Sequence, residues 1–166
     1  MIHMEETSRV REEPPSTLLR KVPLSGRGAV RQHLAEAGER GFQGGTTALV
    51  ALVEKGLPFS ELEVLQEQLD LPLDRLADYL GLARATLHRR KLAGQLMPDE
   101  SDKVLRFARL LAQALKIFGA LPEAREWLRT PQYGLGGVVP LEFAGTEVGA
   151  REVESLLGRI DHGVYS

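Results

Sequence analysis

The chain contains no cysteine. Disulfide staples and thiolate metal sites are thereby excluded, and the composition fits a reducing cytoplasm. No run reaches the roughly 18 consecutive apolar residues of a membrane span. The first residues carry charges where a secretion signal needs an apolar core, so a cytoplasmic protein with no membrane partner is expected. Phosphate-loop chemistry is absent too. Gly134-Leu135-Gly136-Gly137 has neither the following lysine nor a preceding strand. The histidines His3, His33, His88 and His162 are scattered, with no second ligand at helical spacing. Glu152 and Glu154 stand two apart on a helical pattern and point in different directions, and Ser155 has no histidine nearby to act as base. No catalytic residue, metal or cofactor is therefore expected. Aromatics make up only 5%, and the single tryptophan, Trp127, reads as a core residue on an apolar helix face. Period-two alternation is missing throughout, so the fold class is all-α.

What the chain does have is helical periodicity broken by glycine and proline. Residues 1–25 mix charges with Pro14, Pro15 and Pro23, offer little to bury, and read as a disordered segment. Residues 26–56 form a weakly helical region. Val30, Leu34 and Ala37 make one possible face, and Thr46 or Thr47 is placed to cap a helix over residues 48–55 that Gly56 ends. From Leu57 the pattern sharpens. Ser60 with Glu63 three residues later resembles a capping box ahead of Leu62, Leu65 and Leu69. Pro72 opens a short helix. Pro98 opens a long one through Phe118, with an apolar stripe at Val104, Phe107, Ala108, Leu111, Leu115 and Phe118. A second apolar side of that helix, Leu105, Leu110, Ala114 and Ile117, marks it as buried on two faces. Beyond Gly119 come a helix over residues 122–129, a turn-rich stretch, a brief helix from Pro140, and a final helix over residues 147–160 capped by Thr146.

Residues 72–94 carry the strongest functional signal. Leu76, Ala77 and Leu80 bury one face of a first helix, Gly81 supplies the turn, and Leu82 and Leu87 anchor a second helix against it. This is the spacing of a helix-turn-helix, in which the second helix is presented to DNA. Residues 83–95 hold four basic residues and no acid in a chain whose net charge is −2. Phosphates and guanine edges both favour such a surface. The candidate DNA-binding residues are Arg84, Thr86, His88, Arg89, Arg90 and Lys91, with Arg84 and Thr86 as base readers. The opposite charge gathers at the other end, where residues 140–166 hold five acids and two arginines.

The segment from Trp127 to Ser166 resembles the carboxyl-terminal toxin-binding domain of Xre-type antitoxins, the Xre/MbcA/ParS-like family paired with RES-domain toxins. The resemblance rests on Trp127-Leu128, Leu135-x-Gly137-x-x-Pro140-x-x-Phe143, Thr146-x-x-Gly149-x-x-x-Val153, and Leu156-Leu157-Gly158-Arg159-Ile160 with His162-Gly163. Upstream, Arg84-Ala85-Thr86-Leu87-x-Arg89-Arg90 and Ser101-Asp102 are similar to the same family's helix-turn-helix, so the likeness covers about residues 57–166. Gln132-Tyr133-Gly134, Ala144-Gly145 and Met97 depart from the family pattern. Met97 stands where a capping serine is usual, which removes a side-chain cap from the helix at Pro98. The resemblance implies a helix-turn-helix domain over residues 57–118 and a toxin-binding domain over residues 119–166. It further implies a non-enzyme that silences a NAD+-degrading RES-domain toxin, binds its own operator DNA, and assembles as a homodimer or higher oligomer. Candidate toxin contacts are Glu147, Arg151, Glu154, Arg159, Asp161, His162, Val164, Tyr165 and Ser166, with the tail from Asp161 expected to block the toxin's mouth. The rival reading is a stand-alone helix-turn-helix regulator whose last domain only dimerises.

Overall fold

In the computed structural model the described residues are Gly28, Val30 and residues 45–163. The expectation of disorder over residues 1–25, most of the weakly helical region, and the tail residues Val164, Tyr165 and Ser166 lie outside them. Eight α-helices span residues 45–163: α1 (Gly45–Lys55), α2 (Phe59–Leu69), α3 (Leu73–Tyr79), α4 (Arg84–Ala93), α5 (Pro98–Phe118), α6 (Leu121–Arg129), α7 (Pro140–Phe143) and α8 (Glu147–Asp161). A 3₁₀ turn at Tyr133–Leu135 lies between α6 and α7. Extended pairing among the described residues amounts to two isolated bridges, Pro58 with Gln95 and Gln132 with Val138. The fold is all-α.

Helix α5 is the beam on which the rest is laid. Val104, Leu105, Phe107, Ala108, Leu110, Leu111 and Ala114 are all buried, so both apolar sides are covered. Helices α1, α2, α6 and α8 all pack against it. The buried side chains form one continuous cluster running from Leu57 to Leu157, with Val30 joining it from upstream. Each fully buried leucine of that cluster contributes roughly 1.5–3 kcal/mol of hydrophobic stabilisation. The helix-turn-helix and the acidic unit therefore share a core.

The starts of α2 and α1 differ from the sequence reading. Helix α2 begins at Phe59, not after Ser60, and it has no side-chain cap. Phe59 is buried, and its N–H donates to the Gly94 carbonyl at 3.0 Å, so a tertiary partner takes the place of a capping serine. Helix α1 begins at Gly45, which places Thr46 and Thr47 inside it rather than at its cap. At Met97 the missing cap is offset from the other direction. The Glu100 carboxylate turns back and accepts the Met97 N–H at 2.8 Å. The final helix begins as expected, with Thr146 Oγ1 accepting the Gly149 N–H at 3.1 Å.

Candidate functional site

Helices α3 and α4 meet through Leu76, Ala77, Leu80, Leu82 and Leu87, all buried. Between them Gly81 has φ +69°, a left-handed conformation that costs most side chains about 1 kcal/mol or more. A Cβ there would meet only the Lys103 Nζ, at 3.9 Å, so the backbone angle rather than space demands glycine. The Leu82 N–H reaches back to the Ala77 carbonyl at 2.8 Å and closes the turn.

Leu87 is the one buried side chain of α4. With roughly 100° of rotation per residue, its burial turns Ala85, His88, Arg89 and Leu92 outward, while Arg84 stands at the open start of the helix. Arg84, His88, Arg89 and Lys91 are exposed, while Thr86 is half-buried at the flank. Arg84 approaches Asp74 at 3.5 Å and Lys91 approaches Glu63 at 3.9 Å; all four groups are solvated, so both pairs are weak. Leu92 is 77% exposed and sits at the centre of this outward face, a position the charge pattern did not single out.

Arg90 departs from the expectation of an outward, free cation. Its Nε donates to both oxygens of Glu100, at 2.9 and 2.8 Å. The Arg90 side chain is 18% exposed and that of Glu100 only 5%. A buried carboxylate at the start of α5 needs a counter-charge, and Arg90 is it. This pair fastens the basic helix to the central beam.

At the other end, the acids of α8 are also engaged within the chain. Glu147 is bonded by Arg151 Nε, one helical turn on, at 3.2 Å. It also lies 3.0 Å from Arg106 Nε, close enough for ionic attraction although that buried N–H is turned off the line of a hydrogen bond. Arg106 Nη2 meets Asp102 at 2.8 Å. The hydrogen bond from Arg151, together with the positive charges of Arg106, Arg151 and Arg109, holds the Glu147 carboxyl below its ordinary pKa, against a smaller upward push from desolvation. Glu154 receives Arg109 Nε at 2.6 Å, and its carbonyl accepts from the Gln113 amide at 3.2 Å. Arg159 donates to Ser155 Oγ at 3.1 Å. Asp161 and His162 lie exposed at the helix end. The expected acidic face is thus partly neutralised by α5, and Glu147 and Glu154 act first as stitches between α8 and α5.

Several residues that position these surfaces escaped the sequence reading. Ser101 is fully buried; its hydroxyl accepts the Leu57 N–H and donates to the Met97 carbonyl, both at 2.8 Å. Glu61 is buried and accepts the Val30 N–H at 2.8 Å. On α6, Arg125 and Arg129 donate to the carbonyls of Gln68 and Asp70 at the end of α2, and burial pushes the Arg125 guanidinium below its ordinary pKa. The signal that was available is position: Glu100 and Ser101 sit three and four residues into a helix whose cap residue is apolar.

A basic, outward-facing second helix of a helix-turn-helix, built on the same beam as an acidic carboxyl-terminal unit, defines a DNA-binding protein with a second docking surface. Residues 48–109 match the family model described as the antitoxin Xre-like helix-turn-helix domain. Residues 113–163 match the antitoxin Xre/MbcA/ParS C-terminal toxin-binding domain. The chain is 33% identical to the Antitoxin Xre of Yersinia enterocolitica serotype O:8 over 122 residues, 72% of this chain and 82% of that protein. It is 32% identical to the Antitoxin Xre of Photorhabdus laumondii over 120 residues, 71% and 81% of the two chains. A Prs ADP-ribosylating antitoxin of a Sphingobium species is 28% identical over 127 residues, 70% and 80% of the two chains. The chain belongs to the Xre antitoxin family, whose members are binding proteins with a DNA-binding and a toxin-binding domain rather than enzymes. No helix among the described residues is long and apolar enough to cross a membrane.

Proposed function

We propose that this antitoxin neutralises a cognate RES-domain toxin that degrades NAD+, and that it represses its own operon by binding operator DNA, in the cytoplasm and as a homodimer or larger assembly. The observation that carries the reading is the separation of two surfaces on one core: the exposed side chains of Arg84, His88, Arg89 and Lys91 on α4, and α8 with its exposed end at Asp161 and His162. Phosphate contacts supply affinity for DNA, and two copies of one recognition helix suit a palindromic operator. The tail from Asp161 through Val164, Tyr165 and Ser166 is assigned to closing the toxin's substrate mouth, with Arg151 and Arg159 as flanking contacts.

The experiment is co-expression with the RES-domain protein encoded beside the antitoxin gene, with cellular NAD+ as the readout. The full chain preserves NAD+, and a chain lacking residues 161–166 loses that protection while keeping its helical fold and its DNA binding. Intact NAD+ in the deletion strain moves the inhibitory contact away from the tail. Repression of a promoter fusion by a full chain that gives no protection of NAD+ favours instead the stand-alone regulator.

A further inference from the structure

The carboxyl-terminal unit holds a second surface that its final helix does not include. Phe118 at the end of α5 and Trp127 on α6 lie with ring centroids 5.8 Å apart, tilted by 37°. They floor an open groove of about 640 Å³, bordered by Pro122, Glu123, Glu126 and Gln132. Trp127 packs against the core but is only half-buried, so the expectation of a core residue holds in part. Glu123 and Glu126 are one helical turn apart on the outward side of α6. Glu126 has a distant partner in Arg129 at 3.9 Å and accepts the Thr130 hydroxyl at 3.1 Å, while its side chain is 74% exposed. Glu123 makes no ion pair among the described residues. On α8, by comparison, Glu147 and Glu154 are already matched to arginines of this chain, and Glu152 and Asp161 stand exposed without, among the described residues, an aromatic neighbour of the kind Trp127 gives here. Negative charge open to a partner therefore lies directly beside the aromatic floor.

We propose that this groove receives an arginine side chain of the toxin, its guanidinium stacked on the Trp127 indole and bonded to Glu123 and Glu126. The inference rests on the toxin-binding reading above and names a contact within it. An aromatic face flanked by two carboxylates satisfies what a guanidinium needs: a π surface for its plane and paired oxygens for its N–H fork. A lysine ammonium fits less well, since it is a compact point charge without a stacking plane. An anionic dinucleotide is repelled by the same carboxylates. Aromatic and arginine anchors of this kind carry a disproportionate share of interface energy.

Trp127 is the only tryptophan, so the full chain grown with 5-fluorotryptophan gives a single fluorine resonance that reports this groove alone. The probe is the RES-domain protein encoded beside the antitoxin gene, added in increasing amounts. The resonance shifts on binding, and the combined Glu123→Arg and Glu126→Arg substitutions lower toxin affinity at least tenfold while melting temperature and affinity for DNA stay at the parent values. Glu123→Gln with Glu126→Gln, which removes charge without reversing it, weakens binding by a smaller factor in the same direction. A toxin arginine changed to glutamate restores binding to the charge-reversed antitoxin. An unmoved resonance with undiminished affinity in both variants overturns the proposal and leaves toxin neutralisation standing. A resonance that shifts with antitoxin concentration alone assigns the groove to a second copy of this chain and overturns it too. Absence of any binding by the parent chain defeats the proposed function itself.

Discussion

Replacing Arg90 with alanine should unfold this protein more readily, whereas replacing Arg89 should not, although the two are neighbours on the same basic helix. Arg90 donates twice to Glu100, whose side chain is 5% exposed and whose only other described partner is the Met97 N–H. Removing the arginine strands a carboxylate in a poorly solvated place, which costs on the order of 3 kcal/mol. For a chain of this length that corresponds to a fall in Tm of roughly 6–12 °C. Arg89 is exposed and makes no ion pair among the described residues, so its loss stays within about 0.5 kcal/mol. The assay is thermal melting by circular dichroism on both single variants and on Arg90→Ala combined with Glu100→Gln. The combination should recover more than half of the loss, because the unpaired charge is then gone. Equal melting temperatures for Arg89→Ala and Arg90→Ala would refute the reasoning and return Arg90 to the outward face as a phosphate contact.

Arg89→Ala should weaken DNA binding and reduce the slope of log affinity against log salt by about 1, measured by gel-shift titration at several salt concentrations, while protection against the toxin in cells is retained. Gly149→Ala should destabilise by about 3 kcal/mol, since an added Cβ would stand 1.7 Å from the Phe143 carbonyl oxygen. Gly158→Ala, on the same helix with open space around it, should stabilise by up to about 1 kcal/mol, and urea melts of the two variants compare them directly. Because the folded Glu147 carboxyl is held below its ordinary value near 4.5, its contribution is present above that pH and lost as pH falls through the lower folded value. Glu147→Gln should therefore flatten the acid limb of the stability curve, and an unaltered limb would show that the Arg151 and Arg106 contacts contribute nothing.

Helical boundaries were legible wherever a local signal decided them. Pro98 at the start of α5, Thr146 at the cap of α8 and Gly81 in the turn each act through a neighbour within a few residues, and each stands where the sequence indicated. Ser60 misled because the start of α2 is set by Phe59, whose N–H is taken by a carbonyl 35 residues away at Gly94. The outward face of α4 was read from the charges of residues 83–95, and charge does not distinguish a solvated arginine from one matched to a buried glutamate. Only Glu100, ten residues on, separates Arg90 from Arg89. The same ambiguity affects α8. Its acids look free in sequence because Arg106 and Arg109, which engage them, lie some 40 residues earlier on a helix that reads as core.

These long-range pairs bear on how independent the two functions are. A helix of 21 residues spans about 30 Å, and α5 carries one charged fastening near its start and another about its middle. At its start Glu100 holds the DNA-facing helix through Arg90; further along, Arg106 and Arg109 hold the final helix through Glu147 and Glu154. Buried apolar contact fills the space between, and Arg125 and Arg129 bind α6 back to the end of α2. The described chain offers no flexible linker between its DNA-binding and toxin-binding parts. Surface substitutions can therefore separate the functions by chemistry, as Arg89→Ala should, but the relative placement of the surfaces is fixed by one core. Cutting the chain near residue 118 is a different perturbation, since it strips α6 and α8 from the beam and exposes Phe107, Leu110 and Leu111 along the helix that also orients α4. Residues 57–118 expressed alone should accordingly melt at lower temperature and bind DNA more weakly than the full chain carrying the toxin-surface substitutions. A fragment as stable as the parent would show that the shared core is an assembly of two self-sufficient ones.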